Sequence, residues 1–342
     1  MDERFMHRAL FLAKQGTGKV APNPLVGCVI VHKELIIGEG FHQEFGGPHA
    51  EVNAIQQIQN PDLLKNATVY ITLEPCAHFG KTPPCADLLI KSKVQKVVIG
   101  TRDSNSLVSG RGIEKLQNAG IEVVENVLES ECRQLNRRFF TFHEKSRPYV
   151  ILKWAQTIDG YLDKHRSHDE VGINWISEQE TKSLVHKWRS EEQAILVGRN
   201  TIMNDNPSLT VRNFRGKNPT RIVIDSQLAI GDVKNVFSDD AETIVFNRIK
   251  HEKIGNIEWV KIPETTTDVI LKELHKRGIQ SVLVEGGSRT LQYFIIDNVW
   301  DEARVIIGNI HFGSGIKAPI INKLPYETFP FGKDRIYTFL RK

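Results

Sequence analysis

His49, Glu51, Cys76 and Cys85 are the residues of this chain whose types and spacing could do chemistry, and that chemistry is hydrolysis at a metal. One imidazole and two thiolates are a sufficient protein ligand set for catalytic zinc, which keeps its fourth position open for water. Bound zinc brings the pKa of that water to about 7, so hydroxide is available at neutral pH. Glu51, two residues after His49, is placed to carry a proton from the water to a ring nitrogen and then to departing ammonia, as deamination of an aminopyrimidine requires. The set reads as a zinc deaminase site. A structural zinc, or two unrelated buried cysteines, is the competing reading, and it leaves Glu51 without a task.

The neighbouring sequence must hold these side chains in place. Pro48 precedes His49, and residues 51–55 read as the first turns of a helix that points Glu51 into the site. Pro83 and Pro84 precede Cys85 and the apolar Leu88 and Leu89, so Cys85 opens a second helix whose dipole favours its thiolate. Cys76 follows a strand-like run at 67–73. A first helix is expected over residues 2–15, with Phe5, Met6, Ala9, Leu10 and Ala13 on one face. Pro22-Asn23-Pro24 breaks the chain before a strand at 25–31 and its hairpin partner at 35–40. Asn23 either hydrogen-bonds a pyrimidine or caps a turn, and His42 faces the same choice. Strands at 96–100 and 121–125 alternate with helices at 112–119 and 129–142, the pattern of a helix-flanked sheet. Asp103, Asn105 and Gly110-Arg111-Gly112 fall in the loop after a strand, where Arg111 either reaches a phosphate or is solvated.

With 342 residues and a formal net charge of +4, the chain is long enough for two domains and too weakly charged to imply nucleic acid. No run of about 18 apolar residues spans a bilayer, and residues 1–14 lack a signal-peptide core, so no membrane association and a cytoplasmic location are expected. Four cysteines, two of them assigned to zinc, argue against a disulfide scaffold. The polar run 143–148 precedes a new apolar strand at 149–154 and sets a domain boundary between residues 1–145 and 146–342. Helices at 177–189 and 267–277, with strands at 194–197, 221–225, 243–246 and 281–284, make the second half α/β as well. Glu285-Gly286-Gly287-Ser288 joins a strand to a helix, either presenting free N–H groups to a nucleotide phosphate or making only a tight turn. Asp205-Asn206-Pro207 is equally open between a site and a capped turn.

With these residues set out, the sequence closely resembles the bifunctional deaminase/reductase family of riboflavin biosynthesis over nearly its full length. Asn23-Pro24-Leu25-Val26-Gly27, His49-Ala50-Glu51-Val52 and Thr72-Leu73-Glu74-Pro75-Cys76 match its first half. The long interval from Cys76 to Cys85 is similar to that family's and unlike the two residues typical of tRNA adenosine and cytidine deaminases. Leu152-Lys153, Asp159-Gly160, Trp175-Ile176-Ser177, Asp205-Asn206-Pro207-Ser208-Leu209-Thr210-Val211-Arg212 and Val284-Glu285-Gly286-Gly287 match its second half. The resemblance implies an N-terminal cytidine-deaminase-like α/β/α domain, with zinc on His49, Cys76 and Cys85 and with Glu51 as proton shuttle. It also implies a C-terminal dihydrofolate-reductase-like α/β domain that uses NADPH. By position, Ala155, Trp175, Thr201, Asp205, Ser226 and Gly287 would contact the cofactor, and Arg189, Leu209, Arg212 and Glu285 the substrate; Asn23 and Lys153 are added as expected substrate contacts. Three departures stand out: Asp103-Ser104-Asn105-Ser106 replaces the family's Asp-Pro-Asn-Pro, the segment 161–174 is a few residues longer, and Ile173 stands where a serine is usual.

The reading that follows is a two-step enzyme acting on a small phosphorylated pyrimidine. The first half removes an amino group from a diaminopyrimidinone ribosylamine 5′-phosphate, and the second reduces the ribosyl group to ribityl. Lys153, Asp205 and Glu285 are candidate proton donors or orienters, and Arg189 and Arg212 candidate phosphate ligands. A nucleic-acid deaminase with an appended domain is the competing enzyme class, and a structural zinc joined to a nucleotide-binding module is the non-enzymatic one. Two covalently joined steps with exposed strand edges suit a homodimer.

Overall fold

Along the strand Gly27–His32 (β1), Cys28 and Ile30 face one side and Val29 and Val31 the other, and all four are buried. A period of two does this when a strand is covered on both faces. The structure is a computed structural model that describes residues 2–77, 83–105, 109–166, 171–231 and 233–341. Contacts divide the chain into two units, Met1–Ser146 and Arg147–Lys342. Residues 78–82 between the two cysteines, Ser106, and 167–170 of the longer segment lie outside the described residues.

In the first unit, α1 (Asp2–Ala13) precedes β1 and its hairpin partner β2 (Leu35–Phe41). Then come α2 (Ala50–Ile55), β3 (Thr68–Ile71), α3 (Cys85–Lys91), β4 (Lys96–Ile99), α4 (Arg111–Asn118), β5 (Glu122–Val124), α5 (Glu129–Leu135) and α6 (Arg137–Lys145). The sheet runs β2-β1-β3-β4-β5, antiparallel around β1 and parallel from β3 onward. One face packs on Ala50, Ala54, Leu89, Ile113 and Leu116 of α2, α3 and α4. The other packs on Phe5, Met6, Ala9 and Leu10 of α1 and Cys132 of α5. Gly40 lets α2 lie directly on β2, since a Cβ there would fall 2.4 Å from the Ala50 carbonyl oxygen.

The single helix expected over 129–142 is two helices. Asn136 divides them because its buried amide is held from outside: Nδ2 donates to the Leu25 carbonyl and Oδ1 accepts the Leu25 N–H, each at 2.8 Å. Helical periodicity alone carries no sign of such a long-range bond.

The second unit contains β6 (Tyr149–Thr157), β7 (Tyr161–Asp163), α7 (Gln179–Glu191), β8 (Ala194–Gly198), α8 (Arg199–Asp205), β9 (Thr220–Ile224), β10 (Thr243–Asn247), β11 (Glu252–Ile254) and β12 (Ile257–Lys261). It continues with α9 (Thr267–Lys276), β13 (Ser281–Gly286), α10 (Ser288–Ile296), β14 (Glu302–Gly308), β15 (Ile316–Lys317), β16 (Glu327–Phe331) and β17 (Asp334–Leu340). Its large sheet runs β11-β12-β10-β9-β8-β13-β6-β14-β17-β16, parallel from β12 to β14. Ile270, Leu271, Leu274, Leu291 and Phe294 of α9 and α10 cover one face, while Val185 and Trp188 of α7 pack on Ile306 and Ile336. The strands after residue 300 have no clean apolar signature. In β14, Glu302 and Arg304 are both buried and pair at 2.6 Å, which breaks the hydrophobic run. Among the described residues no helix is long and apolar enough to cross a membrane.

Candidate metal centre and cofactor cleft

Element ends assemble the metal centre. His49, after Pro48, is the N-cap of α2 in extended backbone; Cys76 follows the end of β3; and Cys85, after Pro83 and Pro84, is the first residue of α3. Proline is harmless there because the first N–H groups of a helix have no intrahelical acceptor. His49 Nδ1 lies 3.3 Å from Cys85 Sγ and 3.6 Å from Cys76 Sγ, and the three ligand atoms fall within 4.8 Å of one another. Zinc bonds to sulfur and imidazole nitrogen, taken at a tetrahedral angle, separate the two ligand atoms by about 3.6 Å. The residues present therefore fit the ion. The hydrogen bond from the Cys85 side chain holds the Cys76 thiol well below its ordinary value, and the Cys85 backbone N–H adds a contact to the same sulfur at 3.3 Å.

Glu51 lies in the first turn of α2 and is 3% exposed. Burial pushes its carboxyl up, and the Cys76 charge adds to the effect. Asn23 Nδ2 is 3.0 Å from His42 Nε2, while His42 Nδ1 is 3.0 Å from the Pro48 carbonyl oxygen. A carbonyl only accepts, so the proton is assigned to Nδ1, and Nε2 accepts from the Asn23 amide. His42 in turn sits edge-on to His49, ring centres 5.5 Å apart. The two residues left open between turn and site are thus coupled to each other, and His42 adjoins one of the metal ligands.

Glu74 is a buried structural residue that sequence reasoning passed over. It is 4% exposed, and its carboxylate accepts backbone N–H groups of Asp103 (3.3 Å), Gly110 (3.0 Å), Gly112 (2.9 Å) and Ile113 (3.4 Å). The first turn of α4 is therefore capped by a carboxylate from the Pro-Cys segment, which complements the helix dipole. Gly112 is required for the approach, since a Cβ there would lie 2.1 Å from the Pro75 carbonyl oxygen. The N–H groups of both glycines around Arg111 are taken up by Glu74. Asp103 also accepts from the Asn105 N–H at 2.7 Å, an Asx turn.

In the second unit the register Val284 to Leu152 between β13 and β6 makes Lys153 and Glu285 neighbours. Glu285 receives Arg189 through Nε and Nη2, both at 2.8 Å, and Lys153 Nζ at 3.4 Å. Burial alone would raise the Glu285 carboxyl, but Arg189 and Lys153 override it and bring it to about 2. Burial lowers the Lys153 ammonium below its ordinary value. Arg189 Nη1 also donates to the Thr210 carbonyl at 3.1 Å, next to the buried Leu209. Three arms of its fork are thus engaged within the protein. The Arg212 backbone N–H donates to His186 Nδ1 at 3.0 Å, while its side chain is exposed.

A cleft of about 1320 Å³ opens at the carboxyl ends of β8, β9 and β13, and Thr201, Asp205, Ser226 and Gly287 line it together. Parallel sheets bind ligands at this end. The start of α10 supplies Gly287, Ser288, Arg289 and Thr290 to the same wall, so the residues fit a phosphate-bearing dinucleotide. Ala155 and Trp175 are not among the lining residues; Ala155 packs near Val185 and Trp188, and Trp175 is 54% exposed with Lys182 Nζ 3.4 Å above its ring. Ile173 is 43% exposed.

Comparison with known proteins matches a family model to each unit. Residues 1–101 match the cytidine and deoxycytidylate deaminase zinc-binding region, and residues 148–328 match the RibD C-terminal domain. The riboflavin biosynthesis protein RibD of Aquifex aeolicus (strain VF5) is 42% identical over 92% of this chain and 89% of its own length; that of Escherichia coli (strain K12) is 37% identical over 92% and 89%. The crystal structure of a Thermotoga maritima diaminohydroxyphosphoribosylaminopyrimidine deaminase/5-amino-6-(5-phosphoribosylamino)uracil reductase superposes with a TM-score of 0.87 at 40% identity, covering 98% of this chain and 97% of that one. Acinetobacter baumannii RibD gives a TM-score of 0.89 at 30% identity, covering 99% and 98%. The first unit is thus a cytidine-deaminase-like domain and the second a RibD reductase domain, and the chain belongs to the RibD family, the bifunctional enzymes of riboflavin biosynthesis that join a zinc-dependent deaminase to an NADPH-dependent reductase.

Proposed function

We propose that residues 1–145 deaminate 2,5-diamino-6-(ribosylamino)-4(3H)-pyrimidinone 5′-phosphate at C2 and that residues 146–342 reduce the product's ribosyl group. The observation that carries the reading is the spacing of His49 Nδ1 to the two sulfurs, 3.3 and 3.6 Å, beside a buried Glu51. Zinc on His49, Cys76 and Cys85 supplies a Lewis acid that makes water nucleophilic at neutral pH. Glu51 moves one proton of the attacking water to the ring nitrogen, where it stays, and then moves the water's second proton to the amino group, which departs as ammonia. Asn23, oriented by His42, hydrogen-bonds the pyrimidine.

In the second half bound NADPH would supply the hydride to C1′ as the C1′–O4′ bond opens, with the released O4′ taking a proton. Thr201, Asp205, Ser226 and Gly287 hold the cofactor, with Ala155 and Trp175 assigned to it by position in the family alone. Glu285, kept ionised at neutral pH by Arg189 and Lys153, is an orienting group, whereas a buried ammonium with a lowered pKa makes Lys153 the proton donor. Arg189 is committed to Glu285, which leaves the 5′-phosphate to Arg212; Leu209 flanks the substrate. Ile173 brings no polar group, so substrate binding is weaker than with serine by the worth of one hydrogen bond, about 0.5–1.5 kcal/mol.

The reading places the enzyme in the cytoplasm, where its cysteines stay reduced. A homodimer is its proposed assembly, since edge strands β2 and β5 and β11 and β16 are left to be covered. Incubating the protein with the aminopyrimidine phosphate, with and without NADPH, tests the whole: ammonia release in both and NADPH oxidation in one are expected. Zinc binding without ammonia release would overturn it.

A further inference from the structure

The segment after β7 carries an arginine that the family resemblance does not assign. Arg166 is 10% exposed and sits at the centre of a cluster. Its Nε donates to Asp163 Oδ2 at 3.0 Å, Nη1 to the Asn204 carbonyl at 2.9 Å and to the Gly172 carbonyl, and Nη2 to Asp205 Oδ1 at 2.8 Å. The Gly172 N–H donates to the same Asn204 carbonyl at 2.8 Å, and Asn174 Nδ2 donates to Asp163 Oδ1 at 2.8 Å. Asn204 and Asp205 are the last residues of α8, so a cation here meets the negative end of the helix dipole. Asp163, Asn204 and Asp205 all line the large cleft. The cluster is thus the joint between the longer segment and the rim of the cleft.

We infer that Arg166 is a cofactor-positioning residue, which fixes the Asp205 carboxylate and the end of α8 against NADPH. The inference rests on the proposed contact between Asp205 and the cofactor. Two physical effects support it. A bidentate or branched guanidinium holds a carboxylate in one orientation, so Asp205 meets a hydroxyl or amide donor of the cofactor without first losing rotamer freedom. Charge matters as well, because Asp163 and Asp205 without Arg166 would put two uncompensated carboxylates beside a ligand that carries several phosphate charges. Burial pushes the Asp205 carboxyl up to about 6 and Arg166 opposes that shift, so the guanidinium favours the charged form.

NADPH affinity, read by quenching of tryptophan fluorescence, tests this without turnover. Arg166→Met is expected to weaken NADPH binding about tenfold, the worth of one charge-assisted hydrogen bond, and more at low salt than at high salt. Arg166→Lys should recover the salt-dependent part and not the rest, because lysine restores charge but not the fork. Asp205→Asn should weaken binding on its own, and the Arg166→Met/Asp205→Asn double variant should lose less than the sum of the two. Asp205→Asn with wild-type affinity would overturn the contact on which the inference rests. A weakened Asp205→Asn protein beside an Arg166→Met protein of unchanged affinity, even one with a lower Tm, would overturn the positioning role alone.

Discussion

At the metal centre, the proposed function gives ligation and proton transfer to different side chains, and substitution separates them. Glu51→Gln leaves His49, Cys76 and Cys85 intact, so zinc measured by atomic absorption should stay stoichiometric while ammonia release falls by about 10²-fold or more; retained release would remove the shuttle role. Cys85→Ser should lower zinc content itself, since a thiolate at a helix start is lost, and full occupancy would mean another third ligand. These four residues were legible in sequence because each type has few other uses at such spacing. Glu74 was not: it stood in the quoted Thr-Leu-Glu-Pro-Cys stretch, but its partners are backbone N–H groups up to 39 positions away, and backbone partners leave no mark on residue type. The Arg189 bond to Glu285 spans 96 positions and was equally hidden, so Arg189 read as a free phosphate ligand.

Elements rather than residues carry the consequence of Glu74. Its carboxylate joins the Pro75-Cys76 segment to α4 and the Asp103 loop, so Glu74→Ala leaves four backbone donors without their acceptor. Even with water reaching some of them, a loss of about 1–3 kcal/mol is expected, seen as a lower urea midpoint. An unchanged midpoint would show that the cap is dispensable. Most elements of the first half, and about half of those in the second, follow from periodicity and from proline and glycine placement, including the opening of α2 after Pro48 and of α3 at Cys85. The failures have tertiary causes: Asn136 divides a helix through a bond to Leu25, and β14 hides its strand character behind the buried Glu302 and Arg304 pair.

Over the whole molecule the two chemistries should be separable. Removing zinc with a chelator is expected to abolish ammonia release while leaving NADPH oxidation intact when the deaminated ribosylaminouracil phosphate is supplied, with absorbance of the reduced nicotinamide as the readout. Loss of both would mean that zinc also supports the second half. Stability has its own pH signature. Burial, then the charges of Arg189 and Arg212, lower His186 from its ordinary 6.5 to about 4. The unfolded chain therefore binds more protons between those values, and the stability His186 contributes is full above 6.5, falls as pH drops toward 4 and is lost below it. The urea midpoint of the wild type should decline over that window more steeply than that of His186→Gln; parallel curves would exclude the histidine. The Lys153 and Glu285 neighbours on β6 and β13 lie 132 positions apart, whereas His49 and Cys85 lie 36 apart. At a synthesis rate of about 5–20 residues per second, the zinc ligands leave the ribosome within roughly 2–7 s of one another, but Lys153 waits roughly 7–26 s for its carboxylate. Through that interval the nascent second half holds β6 without its β13 neighbour, and a chain released early carries a finished metal centre and no place to reduce a sugar.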